Sequence, residues 1–163
     1  MNGKGKTSAS LPACAFVAVF GSMLGAVQAQ ADGGDQGGAV LSQVNATRAA
    51  NGCGPVAASP QLTAAAARHA NDVLDNGAQG HIGSDGSSVV QRVTDAGYAP
   101  YNAVGEVVFW STGLSGDPAA AVAWWMNSPG HRAIITDCTF TDAGFSAVSI
   151  GDELTVAGDF GDR

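Results

Sequence analysis

Apolar residues change their spacing several times along the chain, and each change marks an element. The first run, residues 11–27, is apolar almost throughout and follows two lysines, Lys4 and Lys6. Pro12, Gly21 and Gly25 interrupt it, so it falls short of the roughly 20 clean apolar residues that span a bilayer. Val27-Gln28-Ala29 then offers the small residues a signal peptidase needs, and residues 1–29 read as a cleaved export signal. Cys14 lies before most of the apolar run, whereas a lipid-modified cysteine follows its apolar region, so lipidation is rejected. Residues 30–38 hold four glycines and two aspartates with little apolar character and read as a disordered leader.

From Ala39 the period becomes helical: Val40, Leu41, Val44 and Ala49 share a face, ending at Asn51-Gly52. Ser59-Pro60 predicts a helix start, with serine as N-cap and proline at the first helical position. That helix runs to about Asp75 and stops at Asn76-Gly77. Its face of Leu62, Ala66, His69, Ala70 and Val73 is small enough to pack closely. A loop dense in turn residues follows, from Gly80 to Gly86, and Ser87 or Ser88 caps a third helix ending at Gly97. Val104 to Trp110 reads as a strand. Asp117-Pro118 opens a fourth helix over residues 119–127, which Ser128-Pro129 breaks or restarts. Residues 144–150 and 153–160 are two strands joined at Gly151-Asp152, a two-residue hairpin turn. Helices before and after a mostly antiparallel strand set predict an α/β fold layered α/β/α, in one domain over residues 39–163.

Charge and cysteine count narrow the setting. The full chain carries a formal charge of −7, and losing Lys4 and Lys6 with the signal takes two positive charges away, leaving −9. Such a balance repels nucleic acid and anionic lipid headgroups. Once Cys14 is removed, Cys53 and Cys138 remain as an even pair in an oxidising compartment, and no CxxC spacing suggests a redox or metal role. They are expected to be bonded. The expected product is a secreted, extracellular monomer with no membrane span after signal removal.

Four scattered segments carry a further identity. They are Asn45-x-x-Arg48, Gly80-His81, Gly105-Glu106, and the run from Trp125 through Ser128-Pro129-Gly130-His131-Arg132. In order and spacing they resemble the CAP superfamily, the cysteine-rich secretory, antigen 5 and pathogenesis-related 1 proteins (SCP domain), in its compact bacterial branch. The likeness extends from about Val40 to Gly161 and includes the closing Val156-Ala157-Gly158-Asp159-Phe160-Gly161. It implies a three-layer α/β/α sandwich with a mostly antiparallel central sheet and a cleft lined by histidine and glutamate. Position by position, His81 and His131 match the two cleft histidines, and Glu106 matches the glutamate of the Gly-Glu-Asn motif. Val107 replaces the usual asparagine, and Ser128 stands where many members carry a second cleft glutamate. Asp85 is a candidate to restore a carboxylate nearby.

The residue types alone point the same way. Imidazole and carboxylate are ligands for zinc and similar divalent ions, and they do acid–base work near neutral pH. His81, Glu106 and His131 are therefore the candidate ligand-binding set and the candidate metal set, although no cofactor is required. Glu106 is one of two glutamates in the chain and precedes four strand-forming residues, so its carboxylate needs a partner. His69, on the inner face of the second helix, is expected to be a hydrogen-bonded core residue. Trp110, Trp124 and Trp125 are expected in the core and cleft wall. Ser128, His131 and Glu106 can be drawn as a catalytic trio, but no nucleophile elbow surrounds Ser128, which reads as a turn or cap residue. Asn45 and Arg48 are expected to tie the first helix to neighbouring loops. The function expected is a non-enzymatic module binding a lipid, sterol or other cell-envelope ligand. The alternative is a peptidase-like hydrolase using the same three residues, with or without metal.

Overall fold

A computed structural model describes residues 35–113 and 117–163, so the predicted export signal and residues 30–34 of the predicted leader lie outside the described residues. The elements in chain order are α1 (Gly37–Ala50), β1 (Ala57–Ala58), α2 (Pro60–Asn76), α3 (Val89–Asp95), β2 (Val104–Thr112), α4 (Pro118–Asn127), α5 (Pro129–Ile135), β3 (Asp142–Ile150) and β4 (Glu153–Gly161). The four strands form one sheet in the order β1-β3-β4-β2, antiparallel except for the two-residue pairing of β1 with β3. Among the described residues no helix is long and apolar enough to cross a membrane.

Alternation along the strands divides the core in two. Phe145, Val156, Phe160, Val107 and Phe109 face one way and pack with Val40 and Val44 of α1, Trp125 of α4 and Ile135 of α5. Ala157 and Val148 face the other way, against Ala66 and Ala70 of α2. The sheet is thus sandwiched between helical layers, as the alternation of predicted elements implied. The α2 layer sits unusually near the sheet: a Cβ on Gly144 would lie 2.0 Å from the backbone nitrogen of Thr63. Only glycine allows that approach. Ser59 caps α2 through the Leu62 amide at 3.3 Å, and Gly77, at φ +67°, ends it in the left-handed conformation.

The restart at Ser128-Pro129 is real: α4 and α5 are separate helices with Ser128 alone between them. The start of α1 differs from expectation. Residues 35–38 are ordered, because the Asp35 carboxylate accepts the Gly37 and Ala147 amides, each at 2.8 Å, and the Ser146 hydroxyl at 2.6 Å. These contacts bring α1 in at Gly37 rather than Ala39.

Two fasteners hold α1 to the far end of α5. Cys53 and Cys138 form a disulfide. Beside it, buried Arg48 donates to four carbonyls, those of Gly54, Ile135, Asp137 and Phe140, at 2.8–3.0 Å. Asn45 exchanges two hydrogen bonds with the backbone of Val56. The expected role of Asn45 and Arg48 as ties is the one observed.

Candidate functional site

Glu106 enters from β2 on the face that meets α2. Its neighbour Val108 gives its carbonyl to the Trp125 indole, so it points away from β4. By the two-residue alternation of an antiparallel ladder, Glu106 does the same. Glu106 and its register partner Asp159 are therefore a non-hydrogen-bonded pair, the kind in which opposite side chains stand closest.

Three cations or potential cations surround the Glu106 carboxylate. Arg92 of α3 donates from Nη2 to Oε2 at 2.5 Å, and His81 donates from Nδ1 to Oε1 at 2.8 Å. His69 Nε2 lies 3.9 Å from Oε1 while donating to the Gly80 carbonyl at 2.7 Å. Burial alone would resist ionisation of Glu106, but the His81 hydrogen bond and the Arg92 charge outweigh it and hold the carboxyl below its usual range. The same hydrogen bond raises the pKa of His81.

Arg92 also builds the loop that delivers His81. Its guanidinium donates to the His81 carbonyl at 3.2 Å and to the Ser87 carbonyl at 2.8 Å. Asp72 of α2 fixes the same loop by accepting the Ser84 amide and hydroxyl. Nothing in the sequence reading pointed to Arg92. It follows Gln91 on a short helix, where an arginine ordinarily reads as a solvent-facing position.

Asp159 was missed too. It is fully buried, and neither carboxylate oxygen has a hydrogen-bond partner among the described residues. Burial first, then the negative charge of Glu106, raise its pKa well above normal, with Arg92 opposing. The two facing carboxyls are thus pushed in opposite directions, Asp159 toward its protonated form and Glu106 toward its ionised one. Buried Nδ1 of His69 and Nε of Arg92 likewise lack partners among the described residues.

His131 arrives from α5, on the other helical layer. Its ring centroid is 6.2 Å from that of His81 and 5.1 Å from that of Trp124. Nδ1 shares a 2.8 Å hydrogen bond with the Ser128 hydroxyl. Burial, then the nearby charge of His81, lower its pKa, which favours a neutral ring. The three predicted residues therefore converge, and both imidazoles spend Nδ1 on the protein. The two Nε2 atoms are left for a ligand.

That arithmetic bears on metal binding. Both oxygens of Glu106 are already engaged, one by a permanent cation, and each histidine offers one nitrogen. Among the described residues no group of three or more His, Cys, Asp or Glu side chains is arranged to hold a metal ion. The residues present do not fit a three-ligand site. Asp85 does not restore a carboxylate to the cleft: it binds Arg68 at 2.7 Å and caps its own turn through the Ser87 amide. The Ser128–His131 contact exists, but Glu106 serves His81 rather than His131, so the trio is not assembled.

An apolar rim adjoins the imidazoles. Val108, Phe109, Trp110 and Trp124 line a cavity of about 170 Å³, and Trp124 leads from it to His131. Trp110 and Trp124 are 41% and 48% exposed, large values for indoles, and Ile82 beside His81 is exposed as well.

The sequence model of the cysteine-rich secretory protein (CAP) family matches residues 41–160. No curated protein matches the sequence itself. In structure the chain is similar to an outer surface protein from Borrelia burgdorferi, with a TM-score of 0.67 and 18% identity over 77% of this chain and 91% of that one. It is also similar to an extracellular SCP-domain protein from Bacillus anthracis, with a TM-score of 0.66 and 21% identity over 78% of this chain but only 40% of that one. A third similarity is to NaASP2, solved with Zn2+, with a TM-score of 0.56 and 13% identity over 80% and 82% of the two chains. At such identities these structures speak for the fold alone.

Proposed function

Because the chain belongs to the cysteine-rich secretory protein (CAP) family, we propose that it is an exported binding module whose cleft takes a small amphipathic ligand. The ligand's polar end sits between His81 and His131, and its apolar body lies along Trp124, Phe109 and Trp110. One observation carries this reading: two imidazoles 6.2 Å apart, each with Nδ1 engaged, open onto exposed indoles. Glu106 shifts His81 toward its protonated form, which donates from Nε2; burial shifts His131 toward the neutral form, which is able to accept or donate. That pair suits a carboxylate or carbonyl oxygen, and the apolar rim suits a hydrocarbon or sterol-like body. Lipids and other cell-envelope molecules have this chemistry.

Export is part of the proposal. It rests on the basic and apolar start of the chain, on the Cys53–Cys138 bond, which belongs to an oxidising compartment, and on the surface or extracellular names of two relatives.

The second reading, a peptidase-like hydrolase, draws support from the Ser128–His131 hydrogen bond. It is less favoured because His131 lacks the carboxylate that would orient it as a base. NaASP2 was solved with Zn2+, but the donor set of this chain gives a metal no third ligand.

Two experiments test the binding reading. The mature protein, purified from its host and extracted into organic solvent, is expected to release a lipid detectable by mass spectrometry. Delipidated protein is expected to bind a long-chain fatty acid, with loss of affinity in His81→Ala and His131→Ala. A protein that arrives empty and ignores both fatty acid and sterol would overturn it.

A further inference from the structure

A second cavity lies apart from the imidazoles of the histidine cleft. About 310 Å³ in volume, it lies where the C-terminal end of α2 covers the last residues of β2 and the first of β4. Val73 and Leu74 give it apolar wall, Trp110 an aromatic one, and Gln79, Thr155 and Glu153 its polar groups. Trp110 lines this cavity and the cleft-side one as well. No arginine, lysine or histidine is among its lining residues.

Among the described residues lining this cavity Glu153 alone is charged, and the helix end and the indole beside it add negative partial charge. Glu153 supplies a full negative charge. The 17-residue helix α2 directs its C-terminal end there, with Asp75 and no basic residue in its last turn. Beyond Val73, whose carbonyl takes the Gly77 amide, the carbonyls of Leu74 and Asp75 receive no hydrogen bond among the described residues. A helix C-terminus carries about half a negative charge and favours cations within its last turn. The face of an indole is negative too and attracts ammonium groups within about 6 Å.

We propose that this cavity is a second binding site, for a small organic ammonium: a primary amine or quaternary ammonium carrying a short apolar or hydroxylated body. Glu153 and the end of α2 set the sign of the ligand's charge, Trp110 covers the cationic head, and Val73 and Leu74 hold its methylene or methyl groups. The site shares the Trp110 indole with the apolar rim of the histidine cleft but uses neither His81 nor His131, and its ligand carries the opposite charge.

Choline is the probe, and 3,3-dimethylbutan-1-ol, its uncharged isostere, is the control. Titration of the mature protein, followed by tryptophan fluorescence and calorimetry, is expected to show saturable choline binding that weakens as salt rises. The isostere is expected not to bind. Trp110→Leu should weaken choline by about 3- to 30-fold, and Glu153→Gln by about 2- to 5-fold, as suits an exposed carboxylate. His81→Ala should leave choline binding unchanged while impairing fatty-acid binding, which separates the two sites. Absence of saturable binding, equal binding of the isostere, or indifference to Glu153→Gln with the variant folded would each overturn the proposal.

Discussion

Replacing Glu106 by glutamine keeps the shape of the side chain and removes the charge on which three neighbours converge. Arg92, 1% exposed, would then face an amide at 2.5 Å instead of a carboxylate. Breaking a buried pair from one side typically costs about 3–5 kcal/mol, because the remaining charge is left uncompensated. In a domain of this size that corresponds to a fall in Tm of about 10–20 °C. Asp159 makes the outcome more interesting. Its pKa is raised first by burial and then by the charge of Glu106, so removing that charge lowers it and lets the attraction of Arg92 favour its ionised form more. Glu106→Gln alone is therefore expected to lose less than Glu106→Gln/Asp159→Asn, and the difference measures how much Asp159 recovers. Denaturant unfolding gives the energies, and the imidazole resonances in NMR give a second readout. The pKa of His81 should drop from its raised position toward the ordinary histidine value once the carboxylate is gone. In the native protein that raised pKa adds stability below pH ~6.5, and the contribution is lost as pH rises through the folded value. The half-exposed ring keeps this share small. A Glu106→Gln protein within 1 kcal/mol of wild type, with His81 titrating unchanged, would refute the hub described here.

Other expectations follow from the same contacts. The fold raises the pKa of Asp159, so it holds its proton more tightly than the unfolded chain, which releases it from about pH 4 upward, and the residue's presence lowers stability as pH rises above that value. Asp159→Asn should accordingly gain on wild type between pH 4 and 7, as read by unfolding at several pH values; a constant difference would contradict the raised pKa. Arg48→Met should lose at least about 3 kcal/mol, since four carbonyls lose their donor at once, and Arg48→Lys should recover only part of it in the same assay. Replacing both Cys53 and Cys138 by serine removes a bond between residues 85 apart in sequence, worth roughly 4–5 kcal/mol by loop entropy; calorimetry showing no change would dissociate the bond from stability. Zinc titrated into the protein should bind weakly. Tight binding abolished by His81→Ala would show that the donor count has missed a ligand.

The parts of the fold visible in the sequence are those specified by neighbouring residues. Ser59-Pro60 and Gly77 bracket α2, and Gly151-Asp152 turns the β3–β4 hairpin, all within a few positions of the residues they control. Elements fixed by distant partners left no such trace. Ala57 and Ala58 are a strand only because the edge of β3 pairs with them, and both side chains are exposed. Asp35 orders the start of α1 through residues 146 and 147, about 111 positions away, where composition argued for a loose leader. The site divides in the same way. Family likeness supplied His81, Glu106 and His131, because those types stand out in short motifs. Arg92, which holds Glu106 in place, and Asp159, which stands opposite Glu106 in the ladder, lie outside those motifs. Asp159 did leave one signal, since it stands between Val156-Ala157-Gly158 and Phe160 in a stretch that reads as strand, and an acid buried there needs a partner or a proton.

His81 and His131 belong to opposite layers of the sandwich and meet only around the β2 edge of the sheet. His81 is secured from the α2 side through Glu106 and Arg92, and His131 follows α4 through the single residue Ser128. Any molecule gripped by both rings would consequently work as a clasp between layers that are otherwise joined there through β2. Occupancy would then be recorded far from the ligand, as slower hydrogen exchange along α5 and at the loop bearing His81, even for compounds too weakly held to survive purification.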